Sequence, residues 1–258
     1  MNTLQVYKCA LSLPLTIGFN INMDDPKFNS LFRSMWLKRP GTQFQVPLWN
    51  LDLVLDMLSS NRFNINISPV DLVSKCLVLL GLALGSRISE IHSLLRGSKY
   101  VRFSRNFKSV TLYPNAAFLA KNEAPSFRRS PMTINGLFKR DGSPHCLCPV
   151  DTLRKYIDLT TRFRTSKLFV NPSTGVPCNK ARIRFYFCSL IRQSQPGVFA
   201  RFHDLRKFAS WKAFWTNMTW SSIRSRGFWR SNSALGRRYL QGSFPLAVEC
   251  VALGRVSH

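Results

Sequence analysis

The sequence predicts a mainly α fold with a small antiparallel β-sheet (α+β), from three observations. Apolar residues recur at helical spacing through much of the 258-residue chain, as at Leu51, Val54 and Leu58. The segment 69–84 is apolar nearly all round, which is typical of the central helix of a globular core. The segments that favour strands are short, rich in β-branched or aromatic residues, and bounded by turn residues.

The predicted elements follow one another closely along the chain. Helices are expected at 4–11, 26–37, 48–59, 69–84, 149–163, 179–193, 203–215, 219–226 and 231–240, and strands at 99–103, 109–113 and 167–170. A stretch with two prolines and a glycine interrupts the helical pattern near residue 40. We therefore place a small helical front domain at 1–38, a linker at 39–47, a large domain at 48–242 and a tail at 243–258.

Charge is the outlying feature of the composition. Lys and Arg number 37 against 12 Asp and Glu, a net charge of +25, which favours a polyanionic partner. Nine cations and one acid, Asp204, lie within 201–239, where eight Phe and Trp residues interleave with them. So many aromatic residues indicate a folded basic module rather than a disordered tail, and such a module suits a phosphate backbone.

Two pairs of residues at helical spacing could act on one anionic group. His203 and Arg206 are three apart and project to the same side of their helix. Arg87 and Glu90 have the same spacing just after the apolar helix. Taken singly, the first pair is also what a capping histidine and a surface arginine would show, and the second is what an exposed helix start with a local ion pair would show.

Taken together, these motifs resemble the tyrosine recombinase (phage integrase) family. The family has an Arg in a Gly-x-Arg-x-Ser-Glu segment, a hairpin Lys, a His-x-x-Arg helix, a His or Trp, and a Tyr nucleophile, and this sequence has them in that order between residues 48 and 240. The resemblance implies a tyrosine recombinase catalytic-domain-like fold. It also implies six catalytic residues: Arg87, Lys121, His203, Arg206, Trp229 and Tyr239.

Two of these assignments keep alternatives. Lys99 and Lys108 compete with Lys121, because the register of a hairpin is not fixed by sequence. The family's His or Trp stands nine residues before the tyrosine, where this chain has Arg230, with Trp229 one residue earlier.

Longer phrases resemble the recombinases of DIRS-type tyrosine-recombinase retrotransposons of eukaryotes, and this resemblance implies a nuclear protein. They include FLAKNE, HDLRKFASWKAF and WRSNSALGRRYL. The front segment is similar to the last part of the N-terminal DNA-binding domain of those proteins. The tail, apolar at 246–253, is expected to dock on a neighbouring protomer of a homo-tetramer on DNA.

The chemistry implied by the resemblance explains the residue types. Two arginines can hold the extra negative charge of a phosphodiester transition state, and nearby cations lower the cost of ionising a tyrosine. The implied reaction passes through a 3′-phosphotyrosyl bond on double-stranded DNA and requires no metal or nucleotide cofactor. The DNA-binding residues are expected to be Arg201, Lys207, Lys212, Arg224, Arg226, Arg230, Arg237 and Arg238.

Other functions fit the sequence less well. The main alternative is a decayed or co-opted recombinase that binds DNA without cleaving it. A zinc site at His145, Cys146 and Cys148, with Cys178 and Cys188 later, lacks the usual two-residue gap and a second compact pair, so a turn into the helix at 149 is preferred. A membrane partner is not expected, because the aromatic residues do not form one amphipathic face.

Overall fold

The computed structural model describes residues 2–38, 47–120 and 130–227, and the chain divides into two compact units, Met1–Gln45 and Val46–His258. The first unit has helices α1 (Asn2–Phe19) and α2 (Pro26–Lys38). The buried Lys8 ammonium of α1 donates to Asp24 Oδ1 at 3.0 Å and to Asn29 Oδ1 at 2.8 Å. These bonds join α1 to the turn before α2 and to α2 itself. Helix α1 extends well beyond the predicted 4–11 and passes through Pro14.

The described part of the second unit is mostly helical. Its helices are α3 (Leu51–Ser59), α4 (Pro69–Leu84), α5 (Ile88–Ser93), α6 (Pro149–Thr160), α7 (Lys180–Ser194), α8 (His203–Trp215) and α9 (Trp220–Gly227), with a 3-10 turn at Asn61–Phe63. The strands are β1 (Val101–Phe103), β2 (Ser109–Leu112) and β3 (Met132–Asn135). They form one antiparallel sheet in the order β1-β2-β3, with Val110 opposite Phe103 on β1 and Ile134 on β3. The predicted fold class is confirmed.

Helix α4 is the centre of the core. Ser68 caps its first turn, Pro69 begins it, and Gly85 ends it in the left-handed conformation at φ 56°. The helix packs against α6, α7 and α8 and is buried on most of its circumference. Since α4 is fixed by helices on several sides, its end at Gly85 is fixed too. The segment that follows Gly85 therefore starts from a defined position near α8.

One buried cation joins α4 to the region before it. The Lys75 ammonium donates to the carbonyls of Leu58 at 3.3 Å and Phe63 at 2.9 Å, and to Asn64 Oδ1 at 2.7 Å. Burial lowers the pKa of Lys75 to about 8. All three ammonium protons have an acceptor, so this lysine links the ends of α3 and of the 3-10 turn to α4.

The sheet differs from its prediction at two segments. Strand β3 was not predicted, since it has four residues and one fully buried side chain, Ile134. The segment 167–170 was predicted as a strand but lies outside the sheet and forms isolated bridges with Leu95 and Pro177. The buried Tyr156 hydroxyl binds two backbone groups of this segment, donating to Leu168 O at 3.1 Å and accepting from Val170 N at 2.8 Å.

Two further points concern the predicted helices. Helix α3 begins at Leu51 rather than at 48, because the Asn50 side chain accepts from the amide of Asp52. The helix predicted at 231–240 lies outside the described residues. Within the described ranges, no helix combines the length and the apolar character that a bilayer span requires.

Candidate active site

Arg87 is fixed by one carboxylate at the start of α5. The chain leaves α4 at Gly85 and turns so that Arg87 becomes the N-cap of α5. Glu90 accepts from the Arg87 amide at 2.9 Å with one oxygen and from its Nη1 at 2.9 Å with the other. Glu90 is buried, whereas 18% of the Arg87 side chain stays exposed, so the guanidinium is held while part of it can meet a ligand.

Arg206 reaches the same place from α8. Its side chain is fully buried, and its Nη1 donates to the carbonyl of Gly85 at 2.6 Å. Gly85 lies two residues before Arg87, so this bond brings the second arginine beside the first. Because both arginines are restrained before any ligand arrives, the pair is preorganised.

Helices α4 and α8 approach closely at Gly81. A Cβ atom placed at Gly81 would lie 2.6 Å from Leu205 Cδ1 and 3.4 Å from the Phe202 ring. The absence of a side chain therefore lets the first turn of α8 settle on the last turns of α4. This contact sets the depth at which Arg206 enters the site.

His203 completes the described part of the site. It is the first residue of α8, one turn before Arg206, and part of it is exposed to solvent. Protein atoms around the imidazole remove part of its hydration and lower its pKa to about 4. The positive charges of Arg206, Lys207 and Arg87 act in the same direction. The imidazole is therefore neutral at pH 7 and can accept a proton or a hydrogen bond.

The beginning of α8 is anchored by a contact that the sequence reasoning missed. The buried Trp49 donates from Nε1 to Asp204 Oδ2 at 3.1 Å, and the Arg201 amide donates to the same oxygen at 2.9 Å. The Trp49 ring packs edge-on against Phe187 and Phe208, at centroid distances of 5.9 and 4.6 Å. The available signal was the isolation of Asp204 as the one acid of a basic segment.

The predicted DNA-binding side chains have different surroundings. Lys207 is buried, with its Nζ 4.0 Å from Asp204 Oδ1, and burial lowers its pKa. Lys212 is exposed and pairs with Asp52 at 3.1 Å. Arg201 and Arg224 are exposed, and Arg226 falls within α9. Lys207 is thus placed to support the fold, whereas Arg201 and Arg224 face solvent.

Several predicted residues lie outside the described part of the chain: Lys121, Trp229, Arg230, Arg237, Arg238 and Tyr239. Of the competing lysines, Lys99 precedes β1 and Lys108 lies between β1 and β2. In sequence, Lys121 falls between β2 and β3. The described structure thus brings together three of the six proposed catalytic residues, Arg87, His203 and Arg206.

The described ranges contain no group of three or more His, Cys, Asp or Glu side chains that could hold a metal ion. Cys148 of the His-Cys-Leu-Cys segment caps α6, where its Sγ accepts from the amides of Asp151 at 3.5 Å and Leu137 at 3.2 Å. That segment therefore acts as the turn into α6.

Comparison with solved structures gives the class of fold. The XerA recombinase matches with a TM-score of 0.53 and 13% identity over 99% of this chain and 84% of that chain. The XerH site-specific recombinase, in a pre-cleavage complex with its difH substrate, matches with a TM-score of 0.53 and 14% identity over 80% of this chain and 53% of that chain. The XerH post-cleavage complex with palindromic difH substrate matches with a TM-score of 0.53 and 12% identity over 82% of this chain and 56% of that chain.

These likenesses show that the chain has a tyrosine recombinase catalytic-domain-like fold. The chain spans about half the length of the two XerH chains, at 53% and 56%. No protein-family model matches the sequence, and no curated protein matches it.

Proposed function

We propose that this protein is a site-specific DNA recombinase or integrase that cuts and rejoins DNA through a 3′-phosphotyrosyl intermediate. The observation that carries the proposal is the convergence of Arg87, Arg206 and His203 at the junction of α4, α5 and α8. Two restrained guanidinium groups and a neutral imidazole match the needs of a phosphodiester whose non-bridging oxygens gain negative charge. The shared fold with XerA and XerH supports the same reaction.

In the proposed reaction the Tyr239 oxygen attacks the scissile phosphorus. The P–Oη bond forms as the P–O5′ bond breaks, and the phenolic proton passes to a nearby base. Lys121 donates a proton to the departing 5′ oxygen. The phosphotyrosyl ester retains the energy of the cleaved linkage, so the 5′-hydroxyl of another strand can attack it and release the tyrosine.

The two arginines would hold the non-bridging oxygens, and His203 would take part in proton transfer. Arg87 and Arg206 supply permanent charge in planar forks, which a lysine does not reproduce. His203 has a pKa near 4, so it enters the reaction as a neutral group that accepts a hydrogen bond or a proton. Trp229 is assigned the position of the family's His or Trp.

The biological setting is part of the proposal. The phrases shared with DIRS-type retrotransposon recombinases favour a mobile-element enzyme that acts in the nucleus, and the net charge of +25 favours double-stranded DNA. The unit formed by α1 and α2 would be a helical DNA-binding unit. The tail at 243–258 would dock on the next protomer of a tetramer, so its deletion should abolish the tetramer on DNA and retain DNA binding.

The test is capture of a covalent protein–DNA adduct. Nicked duplexes with a randomised central sequence, together with candidate element ends, are incubated with the full chain and then denatured. We expect an adduct that survives denaturation and is lost in Tyr239→Phe. Arg206→Lys should reduce it strongly, and the matched control Tyr100→Phe should retain it.

The alternative function, DNA binding without cleavage, gives a different result. Such a protein would bind the same duplexes but form no adduct with any member of the pool, and this outcome would overturn strand transfer. For binding that neutralises about six phosphates, the logarithm of the association constant should fall with the logarithm of salt at a slope of about −5. A much shallower slope would count against DNA binding itself.

A further inference from the structure

A cavity of about 250 Å³ lies on the outer face of α7. The helix contributes Arg184, Phe185, Cys188 and Arg192, and the segment 198–200 forms the opposite wall. Its lining includes neither the two arginines nor the histidine of the candidate active site. The segment 198–200 nevertheless ends three residues before His203, so the cavity and the site are close along the chain.

The cavity has a rigid wall. The Cys188 thiol donates to the carbonyl of Ala200 at 3.5 Å, which ties the wall to α7. Two residues further on, the buried Phe202 packs edge-on against Phe187 with centroids 5.3 Å apart. The core therefore holds both sides of the cavity in place, and a ligand would find it already formed.

Two exposed aromatic rings flank the cavity. Phe185 is 52% exposed and Phe199 is 53% exposed. The Arg201 guanidinium lies 5.2 Å from the centroid of Phe199, and the Arg182 guanidinium lies 5.7 Å from that of Phe185. Each ring thus leaves part of its surface open beside a cation, an arrangement suited to a flat, electron-rich partner.

The charge around the cavity has one sign. Arg184 and Arg192 line it, Arg182 and Arg201 lie beside its two phenylalanine rings, and α7 contains no Asp or Glu. Among the described residues, no carboxylate forms a salt bridge with any of these four guanidinium groups. The four positive charges repel one another in the free protein, since no acid lies among them. An anionic ligand would relieve this repulsion, so the arrangement favours one.

We propose that this cavity binds an unstacked nucleotide of single-stranded DNA, with the base on the two phenylalanine rings and the phosphates on Arg184 and Arg192. Stacking platforms combined with a basic groove are the usual means of holding single strands. The cavity, about 250 Å³, is somewhat smaller than the ~300–1,000 Å³ of drug-sized sites, which suits one base and not a duplex.

The inference rests on the proposed function. After cleavage, the strand that ends in a free 5′-hydroxyl has to leave its duplex before it attacks another phosphotyrosyl bond. Its terminal nucleotides are then unstacked near His203, and the wall at 198–200 leads from there to the cavity. A nucleotide held on α7 would keep the released strand from pairing again with its former partner.

The first test compares single-stranded and duplex DNA. The full chain is titrated with a labelled oligothymidylate and with a duplex of the same length, for wild type, Phe199→Ala and Arg192→Gln. Base–aromatic stacking predicts that Phe199→Ala weakens single-strand binding by about 5-fold or more, with a much smaller effect on the duplex. Equal losses for both DNA forms, or no single-strand binding by the wild type, would overturn the proposal.

A matched control exists on the β1–β2 connection. Phe107 is 49% exposed, and the Arg154 guanidinium lies 5.4 Å from its ring centroid, but it is not among the residues that line the cavity. Phe107→Ala should leave single-strand affinity unchanged. If it lowers that affinity as much as Phe199→Ala does, the general basic and aromatic surface binds the strand and the cavity is not a site.

Photocrosslinking locates the base directly and does not depend on variants that fold. A single strand carrying 5-iodouracil should crosslink within 185–199, as read by mass spectrometry, and crosslinks confined to other segments would refute the site. Displacement of the strand by a glutamate-rich peptide that binds more tightly would assign the cavity to an acidic protein partner instead.

The two proposals fail in distinguishable ways. Selective single-strand binding without any covalent adduct would refute strand transfer alone. An adduct formed by a protein without selective single-strand binding would refute the cavity site alone.

Discussion

Replacing Trp49 with phenylalanine should destabilise the second unit through one lost hydrogen bond and one gap in the packing. The indole Nε1 donates to the buried Asp204 carboxylate at 3.1 Å, and a hydrogen bond to a charged group contributes about 1.5–3 kcal/mol. Phenylalanine keeps the contacts with Phe187 and Phe208 but leaves part of the indole volume empty, which costs about 1 kcal/mol. The expected loss in the free energy of unfolding is therefore about 3 kcal/mol.

Urea denaturation of wild type and Trp49→Phe measures this loss. Trp215 is 41% exposed near the end of α8 and serves as the control, since Trp215→Phe should change stability by less than about 0.5 kcal/mol. A double-mutant cycle with Asp204→Ala should give a coupling energy of about 1 kcal/mol or more. A coupling near zero, or equal effects of the two tryptophan substitutions, would refute the assignment of Asp204 as the partner of Trp49.

Three more predictions concern the core and the site. Lys75→Met should lower the free energy of unfolding by about 2–4 kcal/mol in urea, because the Phe63 carbonyl and Asn64 Oδ1 lose their donor; an unchanged midpoint would contradict this. Gly81→Ala should lower the free energy of unfolding by about 1 kcal/mol, because the clash of a Cβ 2.6 Å from Leu205 Cδ1 costs more than the better helix propensity of alanine gains. A gain in stability would show that α4 and α8 can separate freely. His203→Gln should reduce the loss of stability on acidification from pH 6.5 toward 4. Between pH 6.5 and 4 the His203 imidazole binds a proton in the unfolded wild type but not in the folded protein, whose imidazole has a pKa near 4. If thermal denaturation gives wild type and variant the same dependence of stability on pH, the lowered pKa is refuted.

Helix periodicity was sufficient for most of the architecture because the helices bury broad apolar faces. The predicted 69–84 coincides with α4, and the predicted 203–215 coincides with α8. The strands were harder to predict, since β3 buries one side chain fully and 167–170 is apolar without belonging to the sheet. The backbone of 167–170 bonds in part to the hydroxyl of Tyr156, a contact that no local pattern reveals.

The candidate site shows the same limit at the level of single residues. Spacing was enough to place His203 and Arg206 on one side of α8 and to pair Arg87 with Glu90. Spacing did not indicate that Arg206 is fully buried against Gly85, because that depends on how closely α4 and α8 approach. Lys207 looked like a surface cation but is buried beside Asp204, whose carboxylate is held by Trp49, far away in sequence.

The bond between Arg206 and the carbonyl of Gly85 spans 121 positions of the chain. During synthesis, α4 leaves the ribosome long before α6, α7 and α8 exist to cover it. For that period its apolar surface has to be shielded by a chaperone or remain at risk of aggregation. The same delay means that the two arginines cannot meet until α8 has been made, so a nascent chain that lacks α8 has no candidate active site.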